Sequence, residues 1–87
     1  YPAIVRDIAL WADSTINKEK IRKIIESSAG SLCQRITLFD EFAKEGRVSY
    51  AFRLVFQSYD KTLTDVEVEP YMEMIYKSVK DAGFESR

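Results

Sequence analysis

Apolar and polar residues alternate with a period of two along three stretches of this chain. The clearest runs through Val48, Tyr50, Phe52, Leu54 and Phe56 on one side and Ser49, Ala51, Arg53, Val55 and Gln57 on the other. Alternation rich in aromatic and β-branched residues marks a half-buried strand. Upstream, Leu32, Gln34, Ile36 and Leu38 alternate with Cys33, Arg35, Thr37 and Phe39. The short charged stretch Ala43-Lys44-Glu45-Gly46-Arg47 joins these two runs and carries the glycine a hairpin loop needs. A third alternation occupies Tyr1 to Asp13, with Ile4, Arg6, Ile8, Leu10 and Ala12 set against Val5, Asp7, Ala9, Trp11 and Asp13. Pro2 sits at its start, where a missing N–H does little harm.

The period changes to that of a helix in two places. Ile21, Ile24, Ile25 and Ser28 or Ala29 form a narrow apolar stripe, with Asn17 as N-cap, Ile16 and Ile21 as a hydrophobic staple, and Gly30 as the stop. A second stripe, Val68, Tyr71, Met72, Ile75, Val79 and Ala82, predicts a helix from Asp65 to about Ala82, ended by Gly83. Thr64-Asp65-Val66-Glu67 is a capping box, in which the Thr64 hydroxyl accepts from the Glu67 amide and the Glu67 side chain accepts from the Thr64 amide. Pro70 is a misfit, because it falls past the first turn and removes a backbone hydrogen bond. Phe84 to Arg87 completes the chain as a short fourth strand. The order β-α-β-β-α-β predicts an α+β, ferredoxin-like fold: a four-stranded antiparallel sheet with both helices on one face. The other face is left free.

Composition narrows the chemistry. The 87 residues make one domain, with 46% hydrophobic and 31% charged residues, ordinary for a globular protein. A chain of this size buries roughly 60–65% of its unfolded surface, a modest but sufficient core. It contains no histidine, which removes Ser-His-Asp and Cys-His catalysis and most zinc sites. The single cysteine, Cys33, excludes an internal disulfide and reads as structural. The carboxylates Asp40, Glu41, Asp60, Asp65, Glu67 and Glu69 read as solvated or capping groups, so no residue is assigned a catalytic role. Acylphosphatases share the fold, but they need a glycine-rich anion cradle after strand one. Here Asp13-Ser14-Thr15-Ile16-Asn17 offers an acid and no glycine. No apolar run reaches the length of a membrane span and no signal peptide is recognisable, so a cytoplasmic setting is expected. The chain starts at Tyr1, without methionine and almost inside a strand, so it is expected to be a domain of a longer protein.

The free sheet face is the one surface with a chemistry of its own. On the alternation it carries Ser49, Ala51, Arg53, Val55 and Gln57, with Arg35, Thr37, Phe39 and Glu41 from the neighbouring strand and Asp7, Ala9 and Trp11 from strand one. Aromatic rings beside arginines suit single-stranded RNA, whose bases stack on rings and whose phosphates meet cations. Tyr59, Lys61 and Arg87, near element ends, are further phosphate contacts. The RNA-binding candidates are therefore Arg35, Phe39, Ser49, Arg53, Tyr59, Lys61 and Arg87. The net charge of −1 and pI of 5.4 give no general basic footprint. The alternative is a protein-interaction domain that packs the same face on a neighbour.

Four motifs add to this pattern: Tyr1-Pro2-Ala3-Ile4-x-Arg6-Asp7-Ile8-Ala9-Leu10, then Leu38-Phe39-Asp40-x-Phe42, then Ser49-x-Ala51-x-Arg53-Leu54-x-Phe56-Gln57, and last Lys61-Thr62-Leu63-Thr64-Asp65-x-Glu67-Val68. In this order and spacing they closely resemble the ferredoxin-fold anticodon-binding domain at the C-terminus of the bacterial phenylalanyl-tRNA synthetase beta chain. The resemblance covers nearly all of the chain. It implies a module that holds the anticodon stem-loop of phenylalanine tRNA. It also implies partners in the remainder of the beta chain and the alpha subunit of an α2β2 enzyme, whose catalysis uses ATP and magnesium outside this domain. By motif matching, most pattern positions are expected to be structural. Thr64 and Glu67 cap the helix, Phe56 and Leu63 fill the core, and Arg6 and Asp40 form a cross-strand pair. Three features depart from the family pattern. The connection Ala43 to Val48 is short, Lys61 stands where arginine is common, and the chain ends Ser86-Arg87.

Overall fold

The structure, a computed structural model, describes residues 1–86. Its elements are β1 (Ile4–Asp13), α1 (Lys18–Ala29), β2 (Cys33–Lys44), β3 (Arg47–Phe56), α2 (Asp65–Asp81) and β4 (Glu85–Ser86). The sheet order is β2-β3-β1-β4, with every neighbouring pair antiparallel. β1 and β2 are thus parallel to each other across β3, and so are β3 and β4 across β1, each pair joined by a helix. This is the expected ferredoxin-like α+β fold.

One cluster forms the core. β1 gives Ile8, Leu10 and Ala12, and β3 gives Tyr50, Phe52, Leu54 and Phe56. Ile21, Ile25 and Ala29 of α1 and Val68, Met72, Ile75 and Val79 of α2 close it from above. The helices touch through a hydrogen bond from Ser28 Oγ to Ser78 Oγ at 2.6 Å. Burying a side chain such as Phe52 is worth roughly 1.5–3 kcal/mol. The helix starts behave as the sequence predicts: the Asn17 side chain accepts from the Glu19 amide, and both bonds of the Thr64–Glu67 capping box are formed.

Pro70 is accommodated inside α2. It and Val66, whose carbonyl loses the bond, both face solvent, so water can replace the missing donor. The helix stops at Asp81, leaving Ala82 as an exposed cap rather than a core residue, and Phe84 fills the core beyond it. The fourth strand is shorter than predicted, Glu85–Ser86. The predicted strand position Arg87 lies outside the described residues.

β2 departs most from its predicted pattern. It continues to Lys44, so the connection is only Glu45-Gly46, both at positive φ (50° and 79°), as in a type I′ turn. Its register against β3 shifts twice, between Cys33 and Arg35 and between Leu38 and Asp40. Each shift inserts one unpaired residue and exchanges the faces beyond it. Cys33 therefore packs against the core instead of sharing a face with Arg35. Glu41, expected on the free face, sits opposite the buried Tyr50 and bonds Lys18 of α1 at 3.0 Å. Phe42 takes its place on the free face, opposite Ser49. The expected Arg6–Asp40 pair does not form, because the two residues lie on opposite faces. Arg6 Nη2 instead donates to Asp65 Oδ1 at 2.5 Å, tying β1 to the start of α2.

Candidate nucleic-acid interface

β1, β2 and β3 each send alternate side chains to the face away from the helices. In mid-sheet, Arg53 of β3 is paired across the sheet with Asp7 of β1. Its Nε donates to Asp7 Oδ1 at 2.9 Å and its Nη2 to Oδ2 at 3.2 Å. The same guanidinium lies 4.4 Å from the ring centre of Phe39, the residue at the second register shift in β2. The hydrogen bond from Arg53 holds the Asp7 carboxyl below its usual range, and the same contact raises Arg53. Phe39 is 46% exposed, so one ring face carries the arginine while much of its surface stays open to solvent.

A second cluster lies at the hairpin end. Trp11 and Phe42 meet edge to face, their ring centres 6.3 Å apart at 65°. Arg47 stands over Trp11 at 5.2 Å and donates to Glu85 of β4 at 2.6 Å. Trp11, Lys44, Glu45 and Arg47 line a shallow recess of about 260 Å³. Below these rings, Ser49 is 1% exposed. It is thus a floor residue of the face, reachable only if the rings above it move.

The remaining predicted residues are spread out. Arg35 is exposed on the free face, opposite Val55, with no carboxylate in ion-pair range among the described residues. Tyr59 and Lys61 lie past the end of β3, at the far end of the sheet from the hairpin. Tyr59 is 82% exposed, and Lys61 is held by Glu67 at 2.5 Å. That contact raises the Lys61 pKa and lowers that of Glu67. Arg87 lies outside the described residues. The structure thus brings Arg53 and Phe39 into contact and sets Ser49 beneath a second aromatic cluster. It keeps Tyr59 and Lys61 apart from both.

Two members of this surface, Phe42 and Arg47, do not follow from the predicted strands. Arg47 could have been found, since extending the β3 alternation back by one residue puts it on the face of Ser49. Phe42 could not, because its side depends on the register shift. Among the described residues, no group of three His, Cys, Asp or Glu is placed to hold a metal ion. No helix there is long and apolar enough to cross a membrane.

The sequence pattern of the ferredoxin-fold anticodon binding domain matches residues 1–87. The chain belongs to the ferredoxin-fold anticodon-binding domain family. This anticodon-binding domain is 36% identical, over its full length, to the phenylalanine–tRNA ligase beta subunit of Symbiobacterium thermophilum. It is 42% identical over 94% of its length to that of Trichormus variabilis, and 34% identical over 93% to that of Bacillus subtilis. It covers 10%, 10% and 11% of those chains, so it spans about a tenth of the length of the curated relatives it matches.

Proposed function

We propose that this domain holds the anticodon stem-loop of phenylalanine tRNA on its free sheet face, as one module of a phenylalanine–tRNA ligase beta chain. The observation that carries the reading is the pair of arginine-capped aromatic groups on a sheet face that no helix covers. Rings offer stacking to any base, and the neighbouring cations offer contacts to phosphate. Phe39 and Phe42 serve as stacking surfaces. Arg35, Lys44, Arg47 and Arg53 meet the backbone, and Ser49 is a polar floor. Tyr59 and Lys61 extend the contact toward the rim, and Arg87, outside the described residues, is the remaining candidate.

In this reading the domain does no chemistry. Its parent, an α2β2 enzyme with an alpha subunit, joins phenylalanine to the tRNA with ATP and magnesium in the cytoplasm. The domain contributes by holding the distal end of the tRNA, and tethering lets a weak contact count.

The test is an NMR titration of the labelled domain with a phenylalanine anticodon stem-loop, at low and moderate salt, with a scrambled loop as control. Shifts at Phe39, Phe42, Arg53 and Trp11 that weaken with salt and need the native loop are expected. No shift at millimolar RNA would overturn the reading and favour a protein-packing role for this face.

A further inference from the structure

The free face shows the same three-part arrangement twice. Asp7 holds Arg53 over Phe39, and Glu85 holds Arg47 over Trp11. In both, a carboxylate from another strand, Asp7 of the adjacent β1 and Glu85 of β4 across β1, occupies donors that a phosphate oxygen would need. The arginine in turn covers a ring face that a base would need. Arg47 and Arg53 are six positions apart on β3, about 20 Å at the rise of a strand. The two arrangements are therefore separate.

We propose that Asp7 and Glu85 are internal competitors for RNA phosphates, and that they set the affinity of this face by occupying Arg53 and Arg47 at rest. The proposal rests on the reading of the face as an RNA interface. A carboxylate and a phosphate group present similar acceptor oxygens to a guanidinium, so an arginine N–H that donates to one is withheld from the other. Binding therefore proceeds by exchange: each arginine leaves its carboxylate for a phosphate and uncovers its ring. The carboxylates return to water, where they are well solvated, because all four groups are about half exposed or more. Arg35 needs no such exchange and offers the first phosphate contact. The pairs also keep a face of this apolar and cationic character from binding anions indiscriminately. In the resting domain that face carries nearly balanced charge.

The exchange predicts that removing a competitor improves binding, whereas an acid that formed part of the contact surface would do the opposite. The probe is the phenylalanine anticodon stem-loop, with affinity measured for the wild-type chain, Asp7→Asn, Glu85→Gln, the double variant and Glu73→Gln. Glu73 is an exposed acid on α2, on the helix side of the sheet, with no arginine partner among the described residues, and its variant reports the general effect of removing one charge. Asp7→Asn and Glu85→Gln are each expected to tighten binding by about five-fold, the upper end for an exposed ion pair. The double variant should gain about twenty-five-fold, because distant sites add. Glu73→Gln should gain less than about two-fold once salt screens the long-range term. In an Arg53→Gln background, Asp7→Asn should change nothing further, which separates exchange at Arg53 from a disturbed fold.

Equal gains for Glu73→Gln and Asp7→Asn would overturn the proposal in favour of bulk charge. Weaker binding by Asp7→Asn in a folded domain would overturn it too, showing that Asp7 holds Arg53 in its working position. Both outcomes leave the RNA reading intact. If neither wild-type nor any variant binds the stem-loop at millimolar concentration, the RNA reading itself falls and takes the proposal with it.

Discussion

Gly30 carries two constraints at once. It ends α1 at φ 76° and ψ −179°, a region open almost only to glycine. A Cβ there would also come within 2.8 Å of Tyr71 Cε1, on the other helix. Gly30→Ala should therefore destabilise the domain by about 1–3 kcal/mol, read as a lower urea midpoint. Gly46→Ala meets nothing within 4 Å and should cost less, since only its φ of 79° opposes a side chain. Charge acts at the same scale. Contacts with Arg53, Thr15 and Lys61 lower the pKa values of Asp7, Asp13 and Glu67 respectively. A carboxyl that is more acidic folded than unfolded contributes stability above its unfolded value and loses it as pH falls through its folded one. The urea midpoint should hold between pH 7 and pH 5 and fall by pH 3, and Asp7→Asn should make that fall smaller.

At the level of elements, the register shifts in β2 decide what the free face carries. A bulge puts two residues opposite one, so the residue that follows swaps sides. Without the shift at Phe39, Glu41 would replace Phe42 on the free face and Phe42 would enter the core. Deleting Phe39 should leave Leu38 opposite Phe52 and Asp40 opposite Ala51, with the hairpin pairing intact. It should also remove the ring beneath Arg53. Amide exchange in β3 is expected to stay slow while stem-loop affinity drops at least about five-fold, the low end of one lost base–aromatic stack. Loss of protection across β3 would instead show that the extra residue is needed to bend the strand around the core.

The whole molecule places its two functions on opposite sides of one sheet. The helices and the even-numbered positions of β1 and β3 supply stability, and the odd-numbered positions supply the surface. The net charge of −1 gives little long-range attraction for RNA, so in the proposed reading binding comes from the local cations. If Arg35, Lys44, Arg47 and Arg53 each meet one phosphate, log affinity should fall against log salt with a slope of about −3. A slope near zero in the titration would mean that stacking alone holds the RNA. The sequence by itself determined the element types and their order. The period-two runs, the Asn17 and Thr64 caps and the stops at Gly30 and Gly83 are local signals, and local signals specify local backbone. The same signals exposed Arg53 and Phe39 as surface candidates. Only the tertiary structure decided the faces of Cys33, Glu41 and Phe42, the depth of Ser49, and the pairing of Arg6 with Asp65. A bulge is an extra residue relative to a partner strand, and burial depends on neighbours far along the chain. Neither property exists until the strands and helices have packed.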